Sequence, residues 1–155
     1  MRSIPLLAAT LLLTACGGED VNQAANDQAM SAEAAAQAAL ANLEGSSWEL
    51  LELTVLGGHV FEPEDPADYT LRFLSDNRVR GKSDCNTING NWSTDEAFAL
   101  SGISSSRSLC LAGSLHNYYL LYLRDVVGME QRNDAMVLTT SDSDVNLTFR
   151  KVVSN

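Results

Sequence analysis

Tyr69-Thr70-Leu71-Arg72-Phe73-Leu74-Ser75-Asp76-Asn77-Arg78-Val79-Arg80 is the stretch that decides the fold class. Tyr69, Leu71 and Phe73 alternate with Thr70 and Arg72, the period of two that marks a strand with one buried face. Ser75-Asp76-Asn77 supplies turn chemistry, and Val79 between Arg78 and Arg80 resumes the alternation. The segment therefore predicts a hairpin with one dry and one wet face. Arg72, Arg78 and Arg80 share the wet parity. Their planar forks suit carboxylate or phosphate, and the competing reading is that nearby acidic side chains neutralise them at little net energy.

The same period extends in both directions. Ser47 to Val55, with Trp48, Leu50, Leu51, Leu53 and Val55, predicts a first strand, and Gly57-Gly58 turns the chain toward His59, Val60 and Phe61. Glu62 to Asp68 is an acidic, proline-bearing loop. Asn89-Gly90 is a tight-turn signal before Trp92, and Phe98 with Leu100 suggests a short strand closed by Gly102. Met136 and Leu138, then Val145, Leu147 and Phe149, form a last pair around a turn at Ser141 to Asp144. One helix interrupts the strands, from Ser114 as N-cap to Val127, with Gly128 as its stop. Its residues Tyr118, Tyr119 and Tyr122 are candidates for core packing or for a ligand or partner surface. The expected fold class is α+β: a small antiparallel β-sheet or cracked barrel packed around one main α-helix.

The N-terminus carries an address. Met1-Arg2 is a short positive region, Ile4 to Leu13 is almost wholly apolar, and Leu13-Thr14-Ala15-Cys16 follows. This resembles the bacterial lipoprotein signal, which implies removal of residues 1–15 and lipidation, including palmitate, at Cys16. The apolar run is too short to span about 30 Å of hydrocarbon, whereas two or three acyl chains anchor a domain stably. Gly17 in place of Asp implies sorting to the outer membrane, with the domain expected in the periplasm. Residues 16–44 are expected to be a flexible tether: Gly17 to Gln28 disordered, and Ser31 to Leu43 a frayed helix with Ser31 as N-cap. Fully extended, it reaches about 90 Å at about 3.3 Å per residue. Residues 45–155 are the folded domain.

The 155 residues carry 10 Lys plus Arg against 20 Asp plus Glu, a net charge of −10. One modest domain fits that length, and a multidomain enzyme does not. Such an acidic surface repels phosphate backbones, so no nucleic-acid partner is expected.

Three motifs carry a family resemblance. Gly45-Ser46-Ser47-Trp48-Glu49-Leu50 opens the domain, Gly81-Lys82-Ser83-Asp84-Cys85-Asn86-Thr87-Ile88-Asn89-Gly90-Asn91-Trp92 lies in its middle, and Ser105-Ser106-Arg107-Ser108-Leu109-Cys110 precedes the helix. Over roughly Leu43 to Val152 the chain resembles the META domain, the family of HslJ-like bacterial lipoproteins. Ser106 replaces a commoner Thr and keeps the hydroxyl. The resemblance implies motif roles for Trp48, Gly81, Asn86, Gly90 and Arg107, an antiparallel sheet with one helix, and envelope roles in stress tolerance or secretion without an established catalytic mechanism.

With Cys16 lipidated, Cys85 and Cys110 are the remaining thiols in an oxidising compartment, which suggests a disulfide. A redox or metal pair is the alternative, but Cys-x-x-Cys spacing is missing, and neither His59 nor His116 lies in ligand spacing to a cysteine. No cofactor or metal is expected. Ser104, Ser105, Ser106 and Ser108 lack a nucleophile elbow, and Asp142-Ser143-Asp144 lacks the loop of a calcium hand. Arg107, beside the expected bridge, is read as tying loop carbonyls together. The expected function is a non-catalytic binding or structural role in envelope maintenance or stress tolerance, by a monomer with an unknown envelope protein or apolar ligand as partner. The alternatives are a pilotin-like carrier of lipid and an inhibitor of an envelope-targeting hydrolase.

Overall fold

The computed structural model describes residues 25–31, 34, 43–95 and 97–153. Residues 1–15, read as a signal peptide, and Cys16 lie outside the described residues. The chain divides into two units, Met1–Glu33 and Ala34–Asn155. In the first, residues 25–31 are helical, which corrects the expectation of disorder through Gln28; Ala25, Gln28, Ala29 and Met30 are good helix formers. Ser31 is not an N-cap. Its hydroxyl donates to the Gln28 carbonyl three residues back, at 2.8 Å. Most of the helix expected to Leu43 lies outside the described residues.

Among the described residues the second unit is an antiparallel sheet of nine strands, curled into a half-barrel. They are β1 (Ser47–Val55), β2 (His59–Phe61), β3 (Tyr69–Phe73), β4 (Arg78–Ser83), β5 (Asn86–Ser93), β6 (Ala99–Ser105), β7 (Val126–Arg132), β8 (Ala135–Thr140) and β9 (Asn146–Lys151). The order along the sheet is β6-β5-β4-β3-β1-β9-β8-β7, with β2 paired to the end of β1. Trp48 and Leu50 point inward on one parity and Leu53 and Val55 on the other, because a bulge between Leu50 and Glu52 resets the phase and turns Leu51 outward. Phe73 is the centre of an aromatic group, with Trp92 at 6.0 Å and Phe98 at 6.1 Å, both edge to face.

The helix expected from Ser114 to Val127, α1 (His116–Leu123), is shorter than expected and presents only Tyr119 and Leu123 as fully buried residues. Its N-cap is Leu115, not Ser114, although the Ser114 hydroxyl accepts from the His116 N–H at 3.2 Å. Tyr69 joins this end through its hydroxyl, which accepts from the Leu115 N–H at 2.8 Å. Val126, Val127 and Gly128 do not end the helix; they begin β7, paired with β8. The architecture is therefore mostly β, and the short helix is not the body around which the sheet is built.

Asn89-Gly90 is not a turn. Both residues lie inside β5, at a register shift against β6. A Cβ on Gly90 would collide with the Ile103 side chain, so this glycine serves close strand packing rather than chain reversal. The reversal between β4 and β5 is made by Asp84-Cys85, where Asp84 takes φ +55°. Gly102 likewise does not close a strand; β6 runs through it to Ser105.

Candidate functional site

Cys85 in the β4–β5 turn and Cys110 in the loop before α1 are joined by a disulfide, with their Cα atoms 5.4 Å apart. Asn86 sits beneath it, almost wholly buried. Its amide grips the loop at both polar groups of Ser108: Nδ2 donates to the Ser108 carbonyl at 3.1 Å, and Oδ1 accepts from the Ser108 N–H at 2.8 Å. Oδ1 also accepts from the Ser106 hydroxyl at 2.9 Å, and that hydroxyl accepts in turn from the Thr87 N–H at 3.0 Å. The side-chain amide thus acts as a short piece of strand, satisfying a loop that has no strand partner there. The tying role expected of Arg107 is performed by Asn86, and Arg107 is exposed, with no hydrogen bond from its side chain among the described residues.

What this clamp presents is apolar. Leu109 is 98% exposed and Leu111 is 88% exposed, one on each side of Cys110. Leu111 also rims a groove of about 440 Å³ whose other wall carries Glu62, Glu64, Asp65, Asp68 and Asp84. Asp68 of that wall is paired to Lys82, and the hydrogen bond raises the Lys82 pKa above its ordinary value. The sequence did carry a signal for this display: two leucines off any periodic element, in a serine-rich loop.

Under the loop, the Ser83 hydroxyl lies 2.7 Å from His116 Nδ1. The pair has the separation of a nucleophile and its base, but Ser83 is fully buried. It ties β4 to the start of α1.

The candidate tyrosines separate. Tyr119 is fully buried, edge to face with Tyr69 at 5.4 Å and tilted against Phe149 at 6.3 Å, and its hydroxyl donates to the Thr70 carbonyl at 3.3 Å. Burial, aided by the neighbouring Tyr69, pushes its phenol well above the ordinary range. It belongs to the core, which corrects its candidacy as surface. Tyr122 is half-buried, and Tyr118 is exposed and stacked on Phe61 at 5.7 Å.

The three arginines separate as well. Arg78 pairs with Asp76. Arg72 and Arg80 stand directly opposite each other on β3 and β4, both exposed.

The remaining motif residues are structural. Trp48 is fully buried, its indole N–H donates to the Ser46 hydroxyl at 2.7 Å, and that hydroxyl donates to the Leu43 carbonyl. Gly45, at φ +77°, brings its N–H to the Phe73 carbonyl at 2.8 Å. Gly81 allows β3 to approach β4. Among the described residues no cluster of His, Cys, Asp and Glu is arranged to hold a metal, and no helix is long and apolar enough to cross a membrane.

Among solved structures, the chain is similar to a protein from Burkholderia xenovorans determined by NMR, with TM-score 0.63 and 22% identity over 76% of this chain and 88% of that one. A second NMR structure is similar at TM-score 0.51 and 19% identity, over 70% of this chain and 91% of that one. These likenesses concern the fold. No curated protein matches the sequence. The META domain matches residues 38–153, which takes in the opening Trp48 motif, the Gly81 to Trp92 segment and the Cys110 loop, and the chain belongs to the META domain family.

Proposed function

We propose that this META-domain chain is an HslJ-like lipoprotein of the bacterial envelope, held at the outer membrane through lipid on Cys16 with its domain in the periplasm, and that it works by binding a protein rather than by catalysis. The observation that carries the binding reading is the loop at Cys110. A disulfide and the Asn86 clamp hold its backbone, while Leu109 and Leu111 are left in water beside an acidic groove. Exposed leucines on a rigid support are a cost to a monomer and a gain to a complex, since ordering is already complete before binding. The complementary partner surface is apolar and flanked by Lys or Arg. Such a role in envelope maintenance or stress tolerance needs no enclosed ligand, and Tyr119 fills the space a lipid carrier would keep between helix and sheet.

A photo-crosslinking residue placed at Leu109 in living cells tests the binding reading. The expected result is a discrete protein adduct that disappears when Leu111 is changed to Asp; the absence of any adduct at Leu109 overturns it. Labelling with a palmitate analogue tests the anchor. Label is expected on the parent chain and not on Cys16→Ser, and equal labelling of both overturns it.

A further inference from the structure

The register of the sheet sets five side chains in one row across five strands: Ser47 opposite Arg72, Arg72 opposite Arg80, Arg80 opposite Asn89, and Asn89 opposite Ser104. The residues of these strands on the other parity, Leu71, Phe73, Val79 and Ile88, are buried. Arg72 and Arg80 therefore project together from the wet face. Side chains directly opposite each other in an antiparallel pair have Cβ atoms about 5 Å apart, and like charges at that spacing repel.

This repulsion does not come from a shortage of acids, since acidic residues outnumber basic ones two to one. The other cations of β3 and β4 have carboxylates: Arg78 has Asp76 and Lys82 has Asp68. Among the described residues Arg72 and Arg80 have no ion pair, and they face one another instead. Arg80 divides two shallow grooves. One, of about 320 Å³, includes Ser47, Arg72, Gly81 and Glu49, whose carboxylate is engaged by Arg150; the other, of about 290 Å³, includes Asn89, Asn91 and Gly102. The Ser104 hydroxyl donates to the Asn89 carbonyl at 3.3 Å and ties that edge of the row.

We propose that this face is a binding site for a phosphomonoester, held between the Arg72 and Arg80 guanidinium groups with Ser47 and Asn89 as flanking donors. A phosphomonoester carries a charge of about −1.5 to −2 and three acceptor oxygens. It matches two unneutralised forks and leaves an oxygen for a neutral donor, whereas a carboxylate or a phosphodiester supplies one charge. The site lies on the sheet face and is separate from the Cys110 loop, so its fate is independent of the protein-binding reading.

The test is a titration of the full chain in detergent micelles with glycerol 3-phosphate, followed through the arginine Nε–Hε NMR signals. The Arg72 and Arg80 signals are expected to move together and saturate. Arg80→Gln weakens the response roughly tenfold or more, the loss of a charge-assisted hydrogen bond, while Arg132→Gln leaves it unchanged. Acetate and dimethyl phosphate are expected to bind at least roughly tenfold more weakly, the same single-interaction scale. No saturable shift, or an undiminished response in Arg80→Gln, overturns the site. Equal responses to acetate or dimethyl phosphate overturn the assignment to a phosphomonoester.

Discussion

Gly81 and Thr70 approach so closely across the β3–β4 ladder that a Cβ on Gly81 would fall inside the van der Waals envelope of the Thr70 carbonyl group. The obstacle is backbone, which cannot rotate out of the way. The same carbonyl accepts the Tyr119 hydroxyl at 3.3 Å, so any shift of Thr70 also disturbs the contact that holds the helix to the sheet. Gly81→Ala is expected to destabilise the domain by about 1–3 kcal/mol, the range for overpacking a tight site. The measurement is a urea unfolding curve, with a lower midpoint and an unchanged slope; a midpoint equal to the parent's would show that β3 and β4 separate freely.

Tyr119 makes stability depend on alkaline pH. Its phenol is fully buried and its pKa is raised by that burial, so the folded chain keeps the proton at a pH where the unfolded chain has released it. Above about pH 10 the unfolded state binds fewer protons, and stability falls with rising pH by about 1.4 kcal/mol per pH unit from this group until the folded-state pKa is reached. Lys82 acts in the same direction: its pKa is raised by the hydrogen bond to Asp68, so its contribution is present below the ordinary lysine value and is lost as pH rises through the folded one. Tyr119→Phe should lose about 1 kcal/mol at neutral pH with the hydrogen bond to Thr70, and its stability should decline less steeply than the parent's between pH 10 and 11. Parallel declines would mean the phenol titrates freely in the folded state.

Where side-chain parity alone decides, the fold was legible: the β3–β4 hairpin, the β8–β9 pair and the extent of β1 follow from alternation. Even the β1 bulge is written in the switch from Trp48 and Leu50 to Leu53 and Val55. Two misreadings arose where a local signal serves a distant contact. Asn89-Gly90 has turn composition, yet Gly90 is small because Ile103 packs against it from β6. Val126 and Val127 continue the helical spacing of α1, yet they pair with β8, and a strand partner outweighs a last helical turn. The site was legible in part. Arg72 and Arg80 share a parity that the sequence shows, but their direct opposition, and the paired state of Arg78, depend on register and turn geometry. Asn86 as the clamp of the Cys110 loop depends on a contact between residues 22 apart, which no local pattern records.

The disulfide and Asn86 hold the same loop, and their removal is expected to be non-additive. The bridge closes 25 residues of sequence separation, which corresponds to about 3 kcal/mol in the chain-entropy model. Asn86→Ala leaves the Ser108 N–H and carbonyl without their partner, at about 1–3 kcal/mol. In the Cys85→Ser, Cys110→Ser double variant the loop is freer to seek water, so adding Asn86→Ala should cost less than it does in the bridged chain. A double-mutant cycle by thermal or urea unfolding measures this coupling, and strictly additive losses would show that the amide and the bridge stabilise independent parts of the fold.

The Arg72 and Arg80 pair makes a prediction with the opposite sign from most substitutions. Each guanidinium is exposed and faces a like charge across the ladder, so removing one relieves repulsion without opening a cavity. Arg80→Gln is expected to raise stability by about a few tenths of a kcal/mol in low salt, the lower part of the range for cross-strand pairs. The gain should shrink as ionic strength shortens the Debye length to about 8 Å near 0.15 M. Arg150→Gln provides the contrast: Arg150 donates to Glu49 at 2.9 Å across β9 and β1, so its loss should destabilise slightly under the same conditions. A fall in stability on Arg80→Gln in low salt, matching that of Arg150→Gln, would mean that the Arg80 guanidinium has an acid partner in solution and that the row is already neutralised.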